Sequence, residues 1–321
     1  MNKTPFFSII IPVRVETAYL VQTLLYLKKQ TYKSFEVLVI TDKISLTANP
    51  AQKRNVGAKM SKGKYLAFID DDSYPDPNWL KNLFKQIKLH TDYSAFCGPC
   101  LTPPDDDIYQ QASGLIWSSF LGSGGAGVYR NHISAARLVD DFPSVNLTVK
   151  KSDFNHVKGF DTHHWPGEDT ILCLNLINLD KKIYYHPTII VYHHRRPVII
   201  AHLQQITRYA LHRGHFARVF PKTSFKIGYL IPSIFTLYCL SLFILHSPYF
   251  TIPLYIYLLL LLITFLQLKI KNLKFKIIAL AIATIPITHL YYGVLFIIGF
   301  LSPKLKFSQH KIDSSNQYLG G

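Results

Sequence analysis

The sequence predicts an α/β domain, a mostly parallel sheet flanked by helices, followed by a C-terminal helical transmembrane region. Three observations predict it. Strand, helix and strand succeed one another within the first forty or so residues, the βαβ pattern of a parallel sheet with helical crossovers. A short buried strand, YLAFI, then runs into three adjacent acids, Asp70, Asp71 and Asp72. Past residue 227 the composition shifts to long apolar runs nearly free of charge.

Taken in order, Phe6 to Val13 (FFSIIIPV) is a continuous β-branched run typical of a strand buried on both faces. Glu16 to Gln30 carries Leu20, Leu24, Leu25 and Leu27 at helical spacing, and FEVLVITD reads as a second strand ending in Asp42. The acids after YLAFI stand at the carboxyl end of a parallel strand, where open α/β sheets bind ligands. Crowded carboxylates repel one another and are most stable around a hard divalent cation, although an Asp-rich turn in solvent reads the same way. No signal peptide is expected at the N-terminus, because SIIIPV is too short. No Gly-rich phosphate loop follows either early strand, which disfavours dinucleotide dehydrogenases and P-loop enzymes.

An amphipathic helix is expected over 79–89 and a strand over 94–101, where Cys97 and Cys100 read as two core thiols. From Pro103 to Arg137 the chain looks irregular. Asp105 to Asp107 read there as solvated surface, and GSGGAG as a mobile loop closing over substrate. Glu168 and Asp169 open an apolar helix, ILCLNLI, where acids cap the positive end of the dipole or do chemistry. Lys182 to Tyr192 reads as a further strand leading into His193, His194, Arg195 and Arg196. Residues 198–220 alternate arginines with apolar residues, as in a helix lying on a membrane interface. Gly228 to Leu245, Phe250 to Leu268 and Ile277 to Leu301 are each long and apolar enough to cross a bilayer. The boundaries are therefore 1–197 for the α/β domain, 198–226 for the interfacial helix, 227–302 for two or three spans and 303–321 for a polar tail.

The net charge of +16 is spread along the chain and densest beside apolar segments, so an anionic membrane is the expected partner and nucleic acid is not. Lysines before the first span and between the second and third place the α/β domain in the cytoplasm of a multi-pass membrane protein. The Asn146 sequon would then go unused. Four cysteines without a disulfide framework agree with a reducing compartment.

Arg54, Asn55, Gly57, Gly63 and Phe68 to Asp72 resemble the RN-x-G … G … F-L-D-x-D run of family 2 glycosyltransferases, enzymes of the GT-A nucleotide-sugar-binding fold. The opening S-x-I-I-P-x-R-x-E, the F-E-V-x-V-x-D strand, N-x-x-V-x-[RK] from Asn146, G-F-D and G-E-D-x-x-L match the same family in order. The segment THLYYGVLFIIGFL resembles the tail of its exopolysaccharide-type, membrane-anchored members. The resemblance implies a nucleotide-sugar site at Pro12, Arg14, Glu16, Asp42, Arg54, Asp70 and Asp71, with Asp42 toward the base. It implies a divalent cation, Mn2+ or Mg2+, at Asp70 and Asp72 with His193. Asp169 becomes the general base, with Glu168, Trp165 and Gly167 on the acceptor side. Gln205 and Arg208 begin the Q-x-x-R-W motif of processive members, but Tyr209 replaces the tryptophan, which favours transfer of a single sugar.

The expected function is inverting transfer from a UDP- or GDP-sugar to a hydroxyl of a lipid-linked or cell-surface glycan. A polyprenyl-phosphate sugar synthase and a catalytically silent membrane scaffold are the alternatives.

Overall fold

The computed structural model describes residues 4–125, 127–244, 248–270 and 273–305. In chain order the elements are β1 (Phe7–Pro12), α1 (Ala18–Lys28), β2 (Phe35–Ile40), α2 (Asp42–Ser45), α3 (Pro50–Met60), β3 (Tyr65–Phe68), β4 (Ser73–Pro75) and α4 (Trp79–Leu89). β5 (Ala95–Cys97), β6 (Cys100–Leu101), α5 (Ile108–Ser118), α6 (Val128–Asn131), β7 (Arg137–Val139), β8 (Leu147–Lys150), α7 (Lys151–His156) and α8 (Glu168–Ile177) follow. The chain closes with β9 (Ile183–Tyr185), β10 (Val191–His193), α9 (Ile200–Val219), α10 (Pro221–Ser224), α11 (Ile227–Ser241), α12 (Ile252–Ile270) and α13 (Phe275–Leu301).

One sheet has the order β2-β1-β3-β8-β5-β9-β7, and a small second sheet has the order β4-β10-β6. In the large sheet β8 and β7 run against the common direction of the other five strands. The continuous apolar run of β1 is explained by burial on both faces: Phe7, Ile9 and Ile11 enter one core and Ile10 the other. Helix α3, unexpected from its basic and amide-rich sequence, starts because Asn49 accepts from the amides of Ala51 and Gln52 and Pro50 takes the first turn.

Three sequence expectations are corrected. The run 103–137 is not irregular throughout, since it contains α5, opened by a capping box in which Asp107 caps the helix and Gln110 reaches back. Strand 94–101 is broken at Gly98-Pro99 into β5 and β6, and strand 182–192 is divided between the two sheets as β9 and β10. A proline has no N–H to donate to a ladder, and Pro99 and Pro187 stand at these two breaks. Cys97 and Cys100 are buried free thiols, as expected of core residues. Asn146 is buried too, its amide held by the carbonyls of Gly98 and Ile189 at 2.8 Å and its oxygen by the Trp79 indole at 3.0 Å.

At the C-terminal end α13 packs in parallel along α9. The helices approach so closely that a Cβ at Gly214 would strike the Phe296 carbonyl, and one at Gly299 the Leu211 carbonyl. Ala112 and Ile116 of α5 share a buried cluster with Ile277, Ala281 and Ile285 of α13, tying the α/β domain to this layer. Helix α12 is different: it is almost entirely bare, with Tyr255, Ile256, Leu258, Leu259, Leu260, Leu262, Ile263 and Leu266 all exposed. By length and composition α12, with the turn before it, and α13 could cross a bilayer. The first expected span is shorter than anticipated, because α11 has 15 residues, about 22 Å at the helical rise. Residues 245–247, Lys271 and 306–321, which include part of the SPY turn, one interspan lysine and most of the polar tail, lie outside the described residues.

Candidate active site

The site is assembled at the carboxyl ends of β1, β2 and β3. β1 pairs in parallel with β3 from Phe7 opposite Tyr65 to Ile10 opposite Phe68, so Pro12, Arg14 and Glu16 follow one strand end and Asp70 the adjacent one. Arg14 and Glu16 are exposed and Pro12 is buried. Asp42, at the end of β2, forms an ion pair with Lys53, whose ammonium also donates to the Val13 carbonyl at 2.8 Å.

Asp70, Asp72 and His193 each present one ligand atom within 4.8 Å of the others, two hard carboxylates and one imidazole. That donor set suits Mn2+ or Mg2+ better than a soft thiophilic ion. The antiparallel pairing of β4 with β10 creates the cluster, because His193 stands opposite Ser73, just after the acids. His193 Nε2 lies 3.2 Å from Asp72 Oδ1, and Arg196 lies 3.1 Å from Asp72 Oδ2. Burial works against ionisation of Asp72, but His193 and Arg196 override it and hold the carboxyl well below the usual range. Asp71 moves the other way: burial, then the charges of Asp72 and Asp70, push it up to about 7 against the weaker opposition of Arg196.

Arg54 joins this cluster to the second acidic motif. The residue is 4% exposed, and its guanidinium donates through Nη2 to Asp70 Oδ1 at 2.7 Å and through Nη1 to Glu168 Oε1 at 2.9 Å. Two acidic motifs about a hundred residues apart in sequence are therefore parts of one site. Burial and the neighbouring Asp169 raise the Glu168 carboxyl, with Arg54 opposing. Asp169 is raised as well, by burial and by Asp141, while its oxygens accept from the amides of Thr170 at 2.8 Å and Ser144 at 3.3 Å. Arg208 of α9 sits 5.8 Å over the Trp165 ring. Gly167, at φ +124°, lies directly against the His212 ring, a conformation and a closeness that a side chain would forbid.

Several residues beside the site were not singled out from the sequence. Asp141 is buried between Arg130 at 3.1 Å and Arg213 at 2.7 Å and accepts from the Thr170 hydroxyl at 3.2 Å, linking α9 to the first turn of α8. Asp106, expected in solvent, is 7% exposed and bonds His194 at 2.5 Å. Its burial depends on a partner 88 residues away, so local sequence held no signal for it. The glycine stretch is docked against the C-terminal helices, with Gly124 against the Gly228 carbonyl and the Leu121 carbonyl held by His289.

A family model described as "Glycosyl transferase family 2" matches residues 43–135. The pre-mycofactocin glycosyltransferase of Mycobacterium tuberculosis (strain ATCC 25618 / H37Rv) is 26% identical over 151 residues, 46% of this chain and 30% of the relative. An uncharacterized glycosyltransferase of Rickettsia conorii is 34% identical over 113 residues, 27% of this chain and 19% of the relative. The chain thus spans less than a third of the length of these relatives. Among solved structures, a mannosyltransferase of Pyrobaculum calidifontis in complex with GDP-Man and Mn2+ superposes with a TM-score of 0.60 at 15% identity, over 94% of this chain and 88% of that one, a likeness of fold alone. Fold, motif order and family model point the same way: residues 43–135 match the family 2 glycosyl transferase model, within a fold similar to that of the mannosyltransferase.

Proposed function

We propose that the protein is a membrane-anchored, inverting glycosyltransferase that moves a sugar from a nucleoside diphosphate donor to a hydroxyl of a lipid-linked glycan. The observation carrying the proposal is the Arg54 bridge, which brings a cation-binding acid, Asp70, and an acceptor-side acid, Glu168, onto one guanidinium. Asp70, Asp72 and His193 would hold a divalent cation, whose chemistry is to neutralise the charge gathering on a departing diphosphate. The solved relative in fold that was captured with GDP-Man and Mn2+ supports a nucleotide-sugar donor of this kind, UDP- or GDP-linked, without fixing which.

In this reading the acceptor hydroxyl gives its proton to the Asp169 carboxylate as its oxygen attacks the anomeric carbon and the bond to the diphosphate breaks. Displacement from the face opposite the leaving group inverts the anomeric centre. Asp169 suits the role because burial and Asp141 raise its proton affinity while two amides fix its direction. Glu168, held by Arg54 and by the Gly167 amide at 3.0 Å, orients the acceptor.

Membrane anchoring rests on α12, whose exposed leucines would otherwise face water over a patch far larger than soluble proteins carry. Lys269, Lys274 and Lys276 at the turn between α12 and α13 favour a cytoplasmic catalytic domain, where nucleotide sugars are made. A lipid-linked diphosphate acceptor agrees with Arg208, which stands on Trp165 beside the acceptor loop and has no acidic partner within salt-bridge distance among the described residues.

Asp169→Asn tests the acceptor chemistry in purified protein supplied with membrane lipid extract. Loss of transfer by about 100-fold or more supports base catalysis on a hydroxyl. Near-normal transfer would turn the reading to a lipid phosphate acceptor, which is already anionic and needs no base.

A further inference from the structure

We propose that Asp106 is a positioning residue for the candidate cation site, acting through His194; the inference rests on the metal reading above. His194 follows the candidate ligand His193 directly, and its backbone amide donates to the Asp72 carbonyl at 3.1 Å. Both ring nitrogens of His194 are engaged, Nδ1 with Asp106 at 2.5 Å and Nε2 with Gln22 at 2.8 Å. The ring is also stacked on Tyr19, with centroids 4.2 Å apart. A side chain held at both nitrogens and on one face cannot turn, so the backbone that carries His193 and meets Asp72 is fixed with it.

The hold comes from the start of α5. Asp106 grips the imidazole, the Gln110 amide donates to the Arg195 carbonyl at 3.0 Å, and the Val198 amide donates to the Tyr109 carbonyl at 3.2 Å. Asp106 Oδ2 is buried and makes no hydrogen bond, an arrangement that only a strong partner at Oδ1 sustains. Because α5 packs on α13, the same carboxylate connects the apolar helical layer to the cation site.

The test is Mn2+ binding by the full chain in detergent, read from the spin-resonance signal of free Mn2+, with thermal melting in EDTA as a separate readout. Asp106→Ala is expected to weaken Mn2+ binding about 10- to 100-fold, the usual effect of losing a partner behind a metal site. Saturating Mn2+ should restore kcat, leaving the defect in the apparent KM for metal. Asp106→Asn should recover most of the affinity, since its amide oxygen still accepts from Nδ1–H. Unchanged affinity in Asp106→Ala, or equal losses in both variants, overturns the proposal. If Asp106→Ala does not fold, Gln22→Ala decides by the same comparison, weaker binding supporting the clamp and unchanged binding removing it. Asp72→Asn separates the two layers: its loss of Mn2+ beside a normal Asp106→Ala sinks only the positioning role. A wild type that binds no Mn2+ sinks both.

Discussion

Replacing Arg54 with Met strands Glu168 and Asp70, whose side chains are 7% and 29% exposed, without their shared cation. Removing one partner of a buried pair typically costs about 3–5 kcal/mol. The lower end applies here, about 3 kcal/mol, because Asp70 is partly solvated and Glu168 can escape by taking a proton. The pH dependence follows from that escape. Burial and Asp169 already push the Glu168 carboxyl up to about 7 against the opposition of Arg54, so losing Arg54 raises it further. A carboxyl raised above its unfolded value, about 4.3, contributes stability that is full below that value and is lost as pH rises through the folded value. At pH 6 Glu168 is mostly neutral in the variant and the penalty is small. At pH 8.5 more of the charge must be carried unpaired, at about 1.4 kcal/mol for each further unit of rise. Thermal melts in detergent and EDTA should show a Tm deficit of roughly 6–12 °C at pH 8.5, at about 2–4 °C per kcal/mol, and a clearly smaller one at pH 6. A deficit independent of pH, or larger at pH 6, would mean that Arg54 does not hold the Glu168 charge.

Asp141→Asn leaves Arg130 and Arg213 facing each other without their carboxylate and should cost about 3–5 kcal/mol at pH 7. Because those arginines hold Asp141 below the usual range against its burial, its stabilisation is present above the unfolded value and fades as pH falls; melts below pH 4 should show the gap narrowing. The same change removes a negative charge that raises Asp169, so the acid limb of kcat/KM should move to lower pH in the variant, and an upward move would contradict the coupling. Gly214→Ala forces a Cβ onto the Phe296 carbonyl and should lower stability by about 1–3 kcal/mol, whereas Gly127→Ala, with nothing nearer than 3.9 Å, should melt within a degree or two of wild type. Alkaline carbonate should leave the protein in the membrane fraction, as the bare face of α12 requires.

What could be read in advance was what local pattern encodes. The β-branched run of β1, the acids at the end of β3, the acids opening α8 and the apolar stretches of α12 and α13 stand in the structure where their sequences put them. Two signals were present and outweighed. Asp107 and Gln110 spelled the capping box of α5 behind two prolines and an acid run, and His186-Pro187 marked the break between β9 and β10. The remainder lay in long-range pairing. Arg54 could be matched to a motif, but its grip on both Asp70 and Glu168 depends on the approach of α3 and α8. The burial of Asp141 requires Arg213 from 72 residues away. Neither distance is written in spacing or propensity.

Metal-dependent sugar transfer is read from nucleoside diphosphate release across a panel of nucleotide sugars, using the purified full chain with membrane lipid extract, in Mn2+ or EDTA. Release from one donor that requires the metal and falls by about 100-fold or more in Asp72→Asn is the predicted result. Release from no donor, or release indifferent to EDTA and to Asp72→Asn, would contradict it and leave Asp70 to Asp72 as an acidic turn.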